Sequence, residues 1–135
     1  MKSKARLLVA EDDPDDQYFF QEAIEVVCPH AVETYFAWDG AQLMNFLRET
    51  TNETHKRNLV VLDLNMRVKD GRATLREIKA NPAFVNIPVV VLTTSHSDED
   101  IEYCKRHGAA ACYRKPSSIV ELVKIVRVLY RDYLD

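Results

Sequence analysis

Three acids, a hydroxyl and a lysine stand at the ends of short apolar runs in this chain. Asp63 ends Leu59-Val60-Val61-Leu62, and Glu11-Asp12 end the run from Arg6 to Ala10. Thr93 closes Val89-Val90-Val91-Leu92, and Lys115-Pro116 close a weaker run from Ala109 to Tyr113. A single acid in such a place commonly does no more than end a strand or cap a loop. Carboxylates that converge are different, because they repel one another unless a cation joins them. Hard oxygen donors of this kind suit Mg²⁺, which takes one or two carboxylates and keeps several waters. A lysine and a hydroxyl beside them would bind an anion already touching the metal. A phosphoryl group meets all three demands, and one carboxylate would then be free to act as nucleophile and form an aspartyl phosphate.

That chemistry requires the strand ends to meet on one rim. Five apolar runs alternate with five helical patterns, which predicts an α/β fold with a parallel sheet and helices on both faces. The first, third and fourth runs are continuously apolar and should be central; the second, Ala31 to Trp38, alternates and should be an edge with one wet face. The fifth is weak and should be the other edge. This is the doubly wound order 2-1-3-4-5, whose strand tips form the ligand-binding rim.

The helices carry their own signals. In Glu11-Asp12-Asp13-Pro14-Asp15-Asp16, Asp13 fits an N-cap, Pro14 the first helical position, and Asp15 and Asp16 the first turn, where anions are favoured. Capping leaves Glu11 and Asp12 unexplained. A 3.6-residue stripe of Phe19, Phe20, Ala23, Ile24 and Val27 should be buried. The second helix presents Leu43, Met44, Phe46 and Leu47, and the third, after Asp70-Gly71, presents Leu75 and Ile78. The fourth starts near Asp98 with Gly108 as its C-cap. The last presents Ile119, Leu122, Val123, Val126, Leu129, Tyr130 and Tyr133 on one face. The polar stretch Thr50 to Asn58 is read as a loop, and Trp38 as packing at a strand end.

The chain has 135 residues, 47% hydrophobic and 29% charged, which bounds it to one globular domain with an ordinary core, read as residues 1–135 with no output domain. Its net charge of -3 and lack of a basic cluster argue against nucleic acid as a partner. No apolar stretch reaches transmembrane length and the N-terminus lacks a signal-peptide core, so no membrane association is expected. Cys28, Cys104 and Cys112 are odd in number and have neither CxxC nor Cys/His zinc spacing, and reduced thiols in a cytoplasm are the simplest account.

Glu11-Asp12 after the first strand, Asp63 after the third, Thr93 after the fourth and Lys115-Pro116 after the fifth together resemble the bacterial response-regulator receiver domain, over essentially the whole chain. The stretch Leu-Leu-Val-Ala-Glu-Asp-Asp-Pro-Asp-Asp is most similar to stand-alone regulators that partner bacteriophytochromes and other hybrid sensors. The resemblance implies a flavodoxin-like receiver fold and a phosphorelay role. Asp63 would accept phosphate from a sensor histidine kinase or hybrid kinase. Asp12, Asp63 and the Asn65 carbonyl would hold Mg²⁺, with Glu11 acting through a water. Lys115 would contact the phosphoryl oxygens, its bond to Pro116 would be cis, and Thr93 would move to hydrogen-bond the phosphate and report it. The signal would reach an unknown downstream protein through the fourth helix, fifth strand and fifth helix, a face on which a homodimer is also expected. Such a receiver is not an enzyme beyond promoting its own phosphorylation and dephosphorylation.

Three positions depart from the family. Arg67 stands where proline is usual, Lys69 replaces an apolar residue, and Cys112 sits where an aromatic switch residue is common. Three rivals are weighed. A haloacid-dehalogenase-type phosphatase needs an acid where Asn65 stands. A flavin or nucleotide binder would be repelled by the acids after the first strand. A degenerate receiver serving only as a docking module is the third, since a fold alone proves no activity.

Overall fold

The computed structural model describes residues 5–28, 32–49, 57–95 and 97–135. These form strands β1 (Ala5–Ala10), β2 (Val32–Ala37), β3 (Arg57–Leu62), β4 (Val89–Thr93) and β5 (Ala111–Arg114). Between them run helices α1 (Pro14–Val27), α2 (Gly40–Glu49), α3 (Gly71–Ala80), α4 (Asp98–Arg106) and α5 (Ile119–Leu129). The strands pair in parallel in the order β2-β1-β3-β4-β5, as the distribution of apolar runs predicts. The segment 50–56, within the expected polar loop, lies outside the described residues; Arg57 and Asn58 belong to β3.

The inner stretches of the central strands are apolar, yet their pleat still sorts them by face. Leu7, Val9, Leu59, Val61, Val90 and Leu92 share a core with Phe20, Ala23 and Ile24 of α1 and Leu122, Val126 and Leu129 of α5. Leu8, Ala10, Val60, Leu62 and Val89 share another with Leu43, Met44 and Leu47 of α2 and Leu75 and Ile78 of α3. Two helix layers therefore bury both faces, which is why the strands need no polar alternation.

The structure differs from these expectations in several places. Phe19 is 49% exposed. The buried stripe of α1 is Phe20, Ala23 and Ile24, and Phe19 stands one residue, about 100°, off it. Trp38 is exposed rather than packed. Val32 to Phe36 are all half-buried, so β2 has no clean wet face. The Tyr35 ring lies 5.9 Å from that of Phe46 on α2, and Tyr35 Oη donates to Glu33 at 3.3 Å. Helix α5 runs on into a π-helical turn, Tyr130–Leu134, where the Asp135 N–H donates to Tyr130 O at 2.8 Å. This wider turn shifts the inward face by a residue: Leu134 is buried in the α1–α5 core, while Tyr130 and Tyr133 are only half-buried. Gly108 has φ +89 directly after the cap residue His107, which ends α4 as its position predicts.

Candidate functional site

Strand register places the site. Ala10 pairs with Leu62, so Glu11 and Asp63, each one residue further on, emerge side by side. The Asp63 N–H still donates to Ala10 O at 3.2 Å, and the Glu11 N–H to Ala37 O at 2.9 Å. Both acids are therefore fixed at their backbones by the last rungs of the sheet. Among the described residues, Glu11, Asp12 and Asp63 form a group whose carboxylate oxygens lie within 4.8 Å of one another. Glu11 and Asp63 are buried and Asp12 is half-buried.

Lys115 enters from the other side. Its N–H donates to Thr93 O at 2.8 Å, which carries β5 to the level of the β4 tip. The Lys115 Nζ then donates to Asp63 Oδ2 at 3.0 Å, to Asp16 Oδ2 at 2.8 Å and to Glu11 Oε1. The cation expected to join the carboxylates is thus supplied in part by the chain itself. Asp16 is the member that sequence reasoning assigned only to helix capping. The available signal was its place in the first turn of a helix that starts at the rim, where a side chain can turn back over the strand ends.

The remaining carboxylate oxygens are also engaged. Asp63 Oδ1 accepts the Asn65 N–H at 3.1 Å, Glu11 Oε2 accepts the Asp13 N–H at 3.0 Å, and Asp12 Oδ2 accepts the Arg67 N–H at 3.1 Å. Burial pushes the Glu11 carboxyl up to about 7, against the pull of Lys115 and the Asp13 amide. Burial likewise raises the Asp63 carboxyl, with Asp12 adding to the effect and Lys115 opposing it. The Lys115 ammonium is held above its ordinary range by Asp16, Glu11 and Asp63, which outweigh its desolvation. Acids this crowded and dehydrated, with hard oxygen donors only, fit a divalent cation, whose charge would favour their ionised forms.

The loop after β3 is held close to the site by Gly71. Its N–H donates to Leu64 O at 2.9 Å, and a Cβ there would lie 2.1 Å from Asp63 O, so only glycine allows this approach. Arg67 and Lys69, the two departures in this loop, are both accommodated. The Arg67 side chain is largely exposed, with its Nε 3.9 Å from Asp12 Oδ2, and Lys69 Nζ donates to Glu77 at 2.7 Å. Between them Val68 takes φ +63 and is 89% exposed.

Thr93 is buried at the β4 tip, and its Oγ1 accepts the Ser95 N–H at 3.1 Å. Cys112 packs in a small cluster with Leu64, Val91, Cys104 and Ala109, whereas Tyr113 packs against the α1–α5 core, as strand alternation predicts. Pro116 does not follow expectation: no described peptide bond is cis, and the Lys115–Pro116 bond is trans. Trans is the intrinsic preference of such bonds, and Lys115 already reaches three carboxylates in that form.

A family model for the response regulator receiver domain matches residues 7–127. The chain belongs to that family. The receiver is similar to response regulator Rcp1 of Synechocystis sp., at 34% identity over 132 residues, covering 96% of this chain and 88% of that protein. Among solved structures it resembles the Mn²⁺-bound form of Rcp1, with a TM-score of 0.81 and 34% identity over 94% of this chain and 92% of that one. It also resembles the phosphorylated cyanobacterial phytochrome response regulator RcpA, with a TM-score of 0.84 and 32% identity over 96% and 93% of the two chains. The protein is therefore a receiver of phosphorylation-based two-component signalling, a regulator that works with histidine kinases. Receiver domains bind a divalent metal, in keeping with the acidic cluster here. Among the described residues no helix is long and apolar enough to cross a membrane.

Proposed function

We propose that Asp63 is the phosphoryl acceptor and that Mg²⁺ is the metal that assists it. The observation that carries this is the way Asp63 is presented: one oxygen faces the Lys115 ammonium at 3.0 Å, the other is fixed by the Asn65 amide, and two further carboxylates stand within 4.8 Å. Asp12, Asp63 and the Asn65 carbonyl would hold the ion, with Glu11 acting through a water. When bound, the ion neutralises the phosphoryl oxygens and keeps the carboxylates ionised. The Asp63 carboxylate attacks the phosphorus of a phosphohistidine; a P–O bond forms, the P–N bond breaks, and its electron pair stays on the imidazole nitrogen. Lys115 turns from its carboxylates towards the new phosphoryl oxygens, and Thr93 supplies a hydroxyl donor to them.

The donor on this reading is a sensor or hybrid histidine kinase in the cytoplasm. The phytochrome regulator RcpA, to which the chain is similar, supports a light-sensing kinase of that class. Output leaves through the α4-β5-α5 face, where Glu102, Lys105, Arg106, Arg114, Lys124, Arg127 and Val120 are all exposed and can serve a downstream protein or a second copy.

Asp63→Asn tests the assignment, because amide replaces carboxylate with little change in shape. Labelling by a phosphohistidine donor in Mg²⁺ should vanish while the circular dichroism spectrum stays that of the wild type. Undiminished labelling traced by mass spectrometry to another residue would overturn it.

A further inference from the structure

Arg72 and Asp100 link the first turns of α3 and α4. Arg72 Nη2 and Nε donate to Asp100 Oδ1 at 2.7 and 3.2 Å, and both side chains are more than two-thirds buried. On the same interface Tyr103 Oη donates to Arg72 O at 3.3 Å. The two helices are anchored to different parts of the site. Arg72 follows Gly71, whose backbone lies against Asp63 O and bonds to Leu64 O, so α3 is rigidly coupled to the Asp63 loop. Asp100 is tied to the Thr93 side: Arg72 and then Ser95 hold its carboxyl below the ordinary range, and the Ser95 N–H donates to Thr93 Oγ1 at 3.1 Å. The Ser95 hydroxyl in turn accepts the Ser97 N–H at 3.1 Å, at the residue that caps α4.

A continuous path therefore runs from the Thr93 hydroxyl through Ser95 and Asp100 to Arg72. Few apolar contacts reinforce it, since Cys104 is the one buried residue of α4. Position along the α3–α4 seam is accordingly set by this polar path more than by packing.

We propose that the Arg72–Asp100 pair is a latch that holds α4 and the Thr93–Ser95 segment in their unphosphorylated position, and that occupation of the phosphoryl site works against it. The inference rests on the reading above that Thr93 turns to the phosphoryl group. When its hydroxyl does so, the Ser95 amide loses its acceptor or follows it, and the Ser95–Asp100 contact opens. A ligand can shift such an equilibrium only by its differential affinity for the two positions, so whatever favours the resting one weakens phosphoryl-analogue binding by the same factor. Cys112 carries no ring to fill space vacated by Thr93, which leaves this polar path as the device on α4 that can oppose or permit the change.

The test is isothermal titration of the full chain with beryllofluoride at saturating Mg²⁺, comparing wild type with Arg72→Gln, Asp100→Asn and the double variant. The latch predicts that both single variants bind roughly 2- to 5-fold more tightly, the range of a partly exposed ion pair, and that the double variant matches either single one. Simple electrostatics predicts opposite signs, because Arg72→Gln removes a positive charge near an anion and Asp100→Asn a negative one. Opposite shifts, or binding unchanged in both variants, would overturn the latch. Failure of the wild type to bind beryllofluoride at all, or binding that survives Asp63→Asn, would instead strike at the phosphoryl-site reading.

Discussion

Two corners of the same rim are built on opposite principles. At one, β1, β3 and β5 deliver Glu11, Asp63 and Lys115, and α1 adds Asp16. These groups are buried or half-buried and ionisable, and Glu11, Asp63 and Lys115 have their backbones bonded into the sheet. At the other corner stand the β4 tip, Ser95 and α4, held by neutral hydrogen bonds, one partly exposed ion pair and a single buried cysteine. The first corner is pre-organised and electrostatically crowded; the second is lightly fastened. A group bound at the first corner would shift the second only by its differential affinity for the two positions of α4.

Removing the central cation should break the first corner most severely. Lys115→Met leaves Glu11, Asp16 and Asp63 without their shared partner and should lower the stability of the metal-free protein by about 2–4 kcal/mol, the scale of one uncompensated buried charge. Denaturant melts in EDTA would measure the loss, and millimolar Mg²⁺ should restore part of it. Equal stability of variant and wild type in EDTA would mean that the lysine does not neutralise this corner.

The same crowding should be visible as a pH dependence. The Glu11 carboxyl lies near 7 in the fold against an ordinary value of 4.5. The folded state therefore binds more protons than the unfolded state between those values, and stability falls as pH rises through that window. In EDTA, wild type should lose about 1–3 kcal/mol relative to Glu11→Gln between pH 4.5 and 7.5. A difference between the two proteins that does not change with pH would show that Glu11 is not strained.

Metal binding should relieve this strain. A ligand that binds only the folded state stabilises it by ~1–3 kcal/mol at ten to a hundred times its dissociation constant, so Mg²⁺ should raise the melting temperature. Asp12→Ala should raise the melting temperature of the metal-free protein slightly and remove the response to Mg²⁺. A wild-type melting curve indifferent to Mg²⁺ would count against the cluster as a metal site.

The smallest effects belong to the lightly fastened corner. Thr93→Ala should weaken phosphorylation-dependent partner binding by ~1 kcal/mol, one hydrogen bond to a charged group, while Cys112→Ala should leave it nearly unchanged. The cysteine packs with Leu64, Val91 and Cys104 on the face away from Tyr113, so neither it nor its neighbour can take the place of a moving ring. Uncoupling by Cys112→Ala but not by Thr93→Ala would reverse the assignment of the two residues.

Much of this was written in the sequence. Continuous apolar runs require burial on both faces, so the central strands, the order β2-β1-β3-β4-β5 and the rim position of Glu11, Asp12, Asp63, Thr93 and Lys115 all follow from composition and run length. Local rules were also sufficient for the caps, since Asp13 and the glycine after α4 act through their own neighbours. What the sequence could not settle depended on distances between elements. Asp16 joins the site because α1 starts directly over the lysine, although its local role as a first-turn acid explains it completely. The exposure of Phe19 and the π turn that buries Leu134 each depend on how one element seats against another. The Arg72–Asp100 pair spans 28 residues and leaves no periodic mark in the chain. Hydrophobic period and capping act over a few residues and can be read locally, whereas charge pairing across a seam exists only once the sheet has brought the helices together.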